Sequence, residues 1–211
     1  MSVNRMLENN KDYLWNQWNS WQSQFNTPAG IATGNAVFTA FRQKQEPVSP
    51  LIISEHTGFP PEEIREHLLF AAEKGHATLN ESGLVTGYAG LSVVPAQYSF
   101  AGNDKVLWFW CAWDALSILS LFEFSGILKG PLSPGNEIVE LEFSEGIMTA
   151  ENESLRLLIV PPEIESSMCE GTCSRISLYR APLPQMSVDH IWLTVSEAIE
   201  WGRILWQPLK S

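Results

Sequence analysis

The chain has 211 residues, of which 45% are apolar and 18% are charged, a composition typical of a globular protein with one domain or two small ones. It excludes a disordered chain and a collagen-like repeat. Asp and Glu number 24 against 13 Lys and Arg, so the net charge is −11. Because this negative charge repels phosphate backbones, we expect no general binding of nucleic acid.

No segment predicts insertion into a membrane or secretion. The longest fairly apolar stretch, Val106–Phe124, contains Asp114 and Glu123 and is too polar for a membrane span. The first residues lack the apolar core of a signal peptide. The three cysteines are too few, and odd in number, to suggest a disulfide scaffold. We therefore expect a cytoplasmic protein.

Residues 1–46 predict a tryptophan-rich helical segment. Trp15, Trp18 and Phe25 recur at helical spacing and form one apolar face. The stretch Thr27–Gly30 breaks this helix, and a second short helix is expected around Gly34–Gln43. The simplest interpretation is that the apolar face docks onto the rest of the protein. The alternative is a helix that shields a pocket or a partner surface.

Residues 47–100 predict a winged helix-turn-helix module. Ser49 and Pro50 are typical of the start of a helix, which should end near Gly58. A second helix should run from Pro60–Pro61 to Lys74–Gly75. Two short strands around Glu81–Gly83 then form a hairpin that resembles a wing.

The second of these helices would be the one that reads DNA in a winged helix. It carries a surplus of carboxylates, namely Glu62, Glu63, Glu66 and Glu73 against Arg65 and Lys74. A helix that faces phosphates needs cations, so we interpret the module as structural.

Residues 101–211 predict the core domain. The stretch Lys105–Phe124 begins as a strand and continues as a helix. Strands are expected at Ile138–Phe143, Leu155–Val160 and Arg175–Tyr179, and Val188–Trp206 is expected to be largely helical. The predicted fold class is α+β: an N-terminal helical and winged-helix part, followed by a core with mixed strands and a central helix.

The pair Cys111 and Asp114 is the strongest chemical signal in the sequence. The two residues are three positions apart, so a helix places them on one face. If the helix begins near Trp110, its dipole favours a thiolate at Cys111. The neighbouring tryptophans provide apolar surroundings, which raise the pKa of a carboxylic acid. The purely structural alternative is a buried cysteine and an aspartate in the first turn of a core helix.

Cys169 and Cys173 form a second, weaker signal. Their C-x3-C spacing and the scattered histidines, His56, His67, His76 and His190, do not match a zinc site. Either cysteine alone could be a small apolar residue in a loop. The sequence contains no G-x-S-x-G, no G-x-G-x-x-G and no P-loop, so nucleotide chemistry is not expected.

Residues 48–211 resemble alkylmercury lyase, the organomercurial lyase of bacterial mercury resistance. The motif that carries most of this resemblance is Trp110-Cys111-Ala112-Trp113-Asp114. The stretches Gly87–Leu91 and Leu158–Pro161 match further parts of the family pattern. Cys173 matches the second cysteine of the family. The number of residues from Cys173 to Tyr179, the aromatic end of the following strand, is similar to the corresponding spacing in the family.

The resemblance implies an enzyme that cleaves carbon–mercury bonds by protonolysis, giving a hydrocarbon and Hg(II). Cys111 and Cys173 would supply two thiolates, which suit soft mercury. Asp114 would contact the mercury centre and relay a proton from a thiol to the leaving carbon. Phe109, Trp110 and Trp113 would line the substrate pocket. Cys169 stays open as an alternative to Cys173 or as an extra thiol ligand.

The resemblance also implies partners. No cofactor is expected, since mercury is bound as substrate and product. The partners would be an organomercurial substrate, solution thiols and a mercuric reductase that accepts Hg(II).

Two alternatives stay open. A non-catalytic soft-metal binding protein or sensor on the same fold would need only the thiols. A thiol-redox protein would pair Cys173 reversibly with Cys111 or Cys169.

Overall fold

A mixed β-sheet organises the computed structural model, which describes residues 3–102, 105–135, 137–149, 154–162, 168–184 and 190–210. The α-helices are α1 Val3–Ser23, α2 Pro28–Lys44, α3 Pro50–Thr57, α4 Pro61–Glu73, α5 Ala112–Leu121 and α6 Val195–Trp206. The strands are β1 Ala77–Leu79, β2 Val85–Tyr88, β3 Leu91–Ser92, β4 Tyr98–Gly102, β5 Lys105–Phe109, β6 Gly126–Ser133, β7 Ile138–Ser144, β8 Ile147–Met148, β9 Leu155–Ile159, β10 Leu178–Arg180 and β11 Ile191–Thr194.

The strand order is β1-β2-β3-β5-β4-β6-β10-β9-β11, and β7 pairs with β6 and β8. Within the described strands the pairing of β10 with β6 is parallel and the other pairings are antiparallel. Helix α5 is buried along its whole length and packs against α6. The predicted α+β class is confirmed. The division of the chain into 1–46, 47–100 and 101–211 stays a prediction.

The N-terminal helices dock onto the rest of the protein through the tryptophan face. Trp18 is buried, donates from Nε1 to the carbonyl of Val160 at 3.0 Å, and meets the ring of Trp113 edge-on at 4.8 Å. The predicted start of the second helix at Gly34 is wrong, because α2 begins at Pro28. Thr27 caps that earlier start by accepting a hydrogen bond from the amide of Gly30.

The segment 47–100 contains the helices and the hairpin that its sequence predicts. Ser49 caps α3 by accepting from the amide of Ile52, and α4 begins at Pro61. Asn80 closes the hairpin between β1 and β2 by accepting from the amides of Ser82 and Leu84. The interpretation of this module as a winged helix-turn-helix stays a prediction.

Two boundaries near the end of the chain differ from prediction. The predicted helix at Val188–Trp206 is wrong at its start, because Ile191–Thr194 is a strand and α6 begins at Val195; residues 188 and 189 lie outside the described residues. Thr194 and Glu197 form a reciprocal capping box that fixes this start. The strand predicted from Arg175 begins only at Leu178, because residues 173–175 form a 3₁₀ turn. Within the described residues no helix is both long and apolar enough to cross a membrane.

His76 is a buried histidine at the junction of α1, α4 and β2. Its ring stacks on Phe25 at 3.9 Å and lies edge-on to Trp21 and Tyr88. Its Nε2 has no hydrogen-bond partner among the described residues. Burial, assisted by the charge of His67, lowers the pKa of His76 to about 3. The imidazole is therefore neutral in the folded protein at neutral pH.

Replacement of His76 by phenylalanine should make the protein more resistant to acid. Because the folded-state pKa lies below the unfolded value of 6.5, the stability from neutral His76 is present above pH 6.5 and is lost as the pH falls towards 3. Urea unfolding of the wild type and of His76→Phe should be measured across this pH range. The free energy of unfolding should fall less steeply with decreasing pH for His76→Phe than for the wild type. A variant at an exposed histidine, His56→Gln, is the matched control. Equal slopes for wild type and His76→Phe would contradict the prediction.

Candidate active site

Cys111 and Asp114 form a reciprocal capping box at the start of α5. Cys111 is the N-cap residue, and its Sγ accepts from the amide of Asp114 at 3.5 Å. Oδ2 of Asp114 accepts in return from the amide of Cys111 at 3.2 Å and from its thiol at 3.0 Å. The same local motif that starts the helix therefore places a thiol against a carboxylate.

Cys173 reaches this carboxylate from a distant part of the chain. It follows a single π-helical turn, Met168–Thr172, and its thiol lies 3.8 Å from Oδ2 of Asp114. The amide of Met168 donates to the carbonyl of Lys74, which ties this turn to the end of α4. The potential ligand atoms of Cys111, Asp114 and Cys173 all lie within 4.8 Å of one another.

The three groups are buried, with exposed fractions of 0% for Cys111, 4% for Asp114 and 3% for Cys173. Burial raises the pKa of Asp114 to about 7 and that of Cys111 to about 11. The pKa of Cys173 is raised well above its usual value by its hydrogen bond with Cys111 and by burial. Burial of Cys111 therefore opposes the thiolate that the helix start was expected to favour. The raised pKa of Asp114 agrees in direction with the expectation from its apolar neighbours.

Gly90 forms one wall of the site, a role that the sequence analysis did not assign to it. It follows Ala89 in the tight turn between β2 and β3, and both residues have positive φ, 48° and 91°. A Cβ at position 90 would lie 2.6 Å from Oδ1 of Asp114 and would overlap its carboxyl carbon. The turn is held by a 2.9 Å hydrogen bond from Nε1 of Trp206 to the carbonyl of Ala89. The signal in the sequence was the Gly87–Leu91 stretch, which by itself indicates only a turn.

Replacement of Gly90 by alanine should displace the Asp114 carboxylate and reduce any activity of the site by about tenfold or more, since small misplacements are costly. The positive φ adds strain of about 1 kcal/mol. The matched control is Gly83→Ala, because Gly83 also has a positive φ, +73°, but open space around its Cβ position. Thermal unfolding measures the strain in both variants, and turnover measures the displacement. Equal turnover of the two variants would contradict this role.

The three aromatic residues predicted to line a substrate pocket have defined neighbours. The Trp113 ring packs edge-on against Trp18 and Trp206, and its Nε1 donates to the carbonyl of Ala198. The Trp110 ring lies over Gly87, where a Cβ would be 2.8 Å from Cζ2. Phe109 is fully buried at the end of β5. Their role as a pocket for the organic group stays a prediction.

The remaining candidate ligands lie outside the cluster. Among the described residues, Cys111, Asp114 and Cys173 form the one group of three cysteine, histidine or carboxylate side chains whose ligand atoms converge. No histidine among the described residues belongs to it. Cys169 is not part of this group and is partly exposed. None of the three cysteines forms a disulfide.

The structure matches a crystal structure of the mercury-bound form of MerB2 with a TM-score of 0.78, covering 93% of this chain and 98% of that one at 17% identity. The chain therefore has the MerB fold. No protein-family model matches the sequence.

Sequence comparison leads to particular relatives. The chain is 28% identical over 170 residues to the alkylmercury lyase of Staphylococcus epidermidis, covering 76% of this chain and 75% of the relative. It is 28% identical over 156 residues to the alkylmercury lyase of Bacillus cereus, covering 71% and 69%. The resemblance to alkylmercury lyase that the sequence motifs indicated is confirmed.

Proposed function

We propose that this protein is an organomercurial lyase that cleaves carbon–mercury bonds by protonolysis. The observation that supports this most strongly is the convergence of two thiols, Cys111 and Cys173, on one carboxylate oxygen of Asp114. Thiols are the preferred ligands of soft mercury, and the carboxylate can carry a proton between them and the substrate. A protein that only binds mercury would need the thiols and not the carboxylate.

The first step is a ligand exchange at mercury. The substrate arrives as an organomercurial bound to a solution thiolate, R–Hg–SR′. One cysteine thiol of the pair replaces that thiolate, and its proton leaves on the released thiol, HSR′. The second cysteine then binds mercury and transfers its proton to Asp114. Binding to the metal makes deprotonation of the thiols favourable, although burial raises the pKa of Cys111, and the hydrogen bond with Cys111 together with burial raises the pKa of Cys173.

The second step breaks the carbon–mercury bond. Two thiolates increase the electron density at mercury, so that the carbon leaves with the bonding electron pair. Asp114 donates its proton to this carbon, giving the hydrocarbon R–H and returning to the carboxylate. Hg(II) stays behind as a dithiolate of Cys111 and Cys173. The sum is R–Hg–SR′ plus two cysteine thiols giving R–H, HSR′ and the dithiolate, and it requires no cofactor.

The surroundings of the cluster support this chemistry. The burial of all three groups keeps water from competing for the proton and for the metal. Phe109, Trp110 and Trp113 would hold the organic group, and solution thiols or a mercuric reductase would accept the Hg(II). A reducing cytoplasm would keep the three cysteines as thiols, as they are in the structure.

The test is headspace gas chromatography of the purified protein with methylmercury and excess thiol, with Cys111→Ser in parallel. We expect methane from the wild type and none above background from the variant. No methane from the wild type, with mercury retained at the cysteines, would refute the lyase. That result would indicate a soft-metal binding protein or sensor on the same fold.

A further inference from the structure

The orientation of the Asp114 carboxylate is limited on both of its sides. Its Oδ2 accepts hydrogen bonds from the amide and the thiol of Cys111. Its Oδ1 faces Gly90, where a Cβ would lie only 2.6 Å away. The torsion that rotates a carboxylate has broad minima, so contacts and not the side chain itself decide how it points. The backbone at Gly90 is therefore part of what orients this group.

Part of this hold is lost when mercury binds. As thiolates on the metal, Cys111 and Cys173 have no proton to donate to Oδ2 of Asp114. Of the hydrogen bonds between described residues at this oxygen, the one from the amide of Cys111 remains. The wall at Gly90 therefore matters most at the moment when the carbon–mercury bond breaks and Asp114 gives up its proton.

The turn that forms this wall is held from three directions. The amide of Ala89 donates to the carbonyl of His76 at 2.8 Å, and the carbonyl of Gly90 accepts from the amide of Trp110 at 3.0 Å. The carbonyl of Ala89 accepts from Nε1 of Trp206 at 2.9 Å. The first two bonds join backbone to backbone. Within the described part of the chain, Trp206 supplies the one side chain that hydrogen-bonds the backbone of Ala89 and Gly90.

Helix α6 connects this turn to the helix that begins at the capping box. Trp206 is the last residue of α6 and is 3% exposed. The same helix accepts a 2.9 Å hydrogen bond from Nε1 of Trp113 at the carbonyl of Ala198. It also passes so close to α5 that a Cβ at Gly202 would overlap Oγ of Ser117. Helix α6 therefore sets the position of the turn relative to the start of α5.

We propose that Trp206 is a positioning residue for the proton transfer from Asp114. Its indole N–H holds the turn of Ala89 and Gly90 against the carboxylate while the carbon–mercury bond breaks. This inference rests on the proposed lyase function and adds to it a residue that acts through Gly90.

The competing explanation is an effect through the aromatic residues expected to hold the organic group. Trp206 packs edge-on against Trp113, with 5.3 Å between the ring centroids. A change that acts through Trp113 would alter substrate binding and raise KM. A change that acts through Gly90 and Asp114 would lower kcat, because it affects an interaction used in the transition state.

The test is the variant Trp206→Phe, which removes the N–H and keeps an aromatic ring. Steady-state methane production is measured with methylmercury glutathione as the substrate, in excess glutathione. We expect kcat to fall by about tenfold and KM to stay within about twofold of the wild type, since a small misplacement of a catalytic group is costly while binding is intact. Hg(II) retained after gel filtration should remain stoichiometric. A raised KM with unchanged kcat would overturn the inference in favour of the effect through Trp113.

The matched control is Trp18→Phe. Trp18 is also buried, donates from Nε1 to a backbone carbonyl, that of Val160, at 3.0 Å, and also meets the ring of Trp113 edge-on. The same substitution therefore removes the same kind of hydrogen bond, but from a carbonyl outside the turn. Thermal unfolding should show a similar loss of stability in both variants, with kcat of Trp18→Phe close to the wild type. If Trp18→Phe lowers kcat as much as Trp206→Phe, the effect is a general one of the core and the inference fails.

A second variant and the wild type complete the experiment. If thermal unfolding shows that Trp206→Phe is not folded, Trp206→Tyr takes its place, because tyrosine fills more of the space of the indole and also lacks the Nε1 proton. Wild-type kcat in a folded Trp206 variant would overturn the positioning role and leave the lyase proposal standing. An absence of methane from the wild type would refute the lyase and with it the role of Trp206.

Discussion

Replacement of Asp114 by asparagine should keep mercury binding and remove most of the turnover. The amide retains the size of the side chain but cannot carry a proton between a thiol and the leaving carbon. Loss of a positioned general acid typically costs about 10²–10⁴-fold in rate. Methane production measures the turnover, and mercury retained after gel filtration measures binding. Both thiols remain in the variant, so a stoichiometric complex with Hg(II) is expected.

The control for this variant is Glu123→Gln, which removes an exposed carboxylate just beyond the other end of α5. Its turnover should match the wild type. Because Asp114 also caps the helix, thermal unfolding checks that the asparagine variant is folded. Loss of mercury binding in folded Asp114→Asn, or unchanged turnover, would contradict the proton-relay role.

Replacement of Cys173 by serine should abolish turnover, whereas Cys169→Ser should be mild in excess thiol. Cys173 lies 3.8 Å from the carboxylate oxygen and supplies the second thiolate, which a hydroxyl cannot replace on soft mercury. We expect a fall of about a thousandfold or more, the scale on which loss of an essential nucleophile acts. Steady-state methane production at saturating glutathione measures both variants.

The assignment of the second cysteine depends on this comparison. The two cysteines are equivalent in residue type and lie in consecutive turns, so each variant serves as the control of the other. A large loss in Cys169→Ser with mild behaviour of Cys173→Ser would mean that the roles are exchanged.

Local signals account for the parts of the fold that the sequence predicted well. Proline and a capping residue define the start of α3, and the strand-to-helix transition in Lys105–Phe124 is present as β5 and α5. The pairing of Cys111 with Asp114 is also local, since a three-residue spacing at a helix start brings the two side chains together. One error occurred where an apolar run fits two periods, at Ile191–Thr194, which pairs with β9 as a strand.

The sequence by itself determined the α+β class, the capping box of Cys111 and Asp114 and the motifs that resemble alkylmercury lyase, because each depends on residues close together in the chain. Only the tertiary structure decided which other groups reach that box. Cys173 is 59 positions away from Asp114 and arrives through the pairing of β10 with β6 and β9. The turn between β2 and β3 places Gly90 against the carboxylate of Asp114. Burial is likewise a property of the assembled core, and for this reason the protonated state of the thiols could not be inferred from the helix start alone.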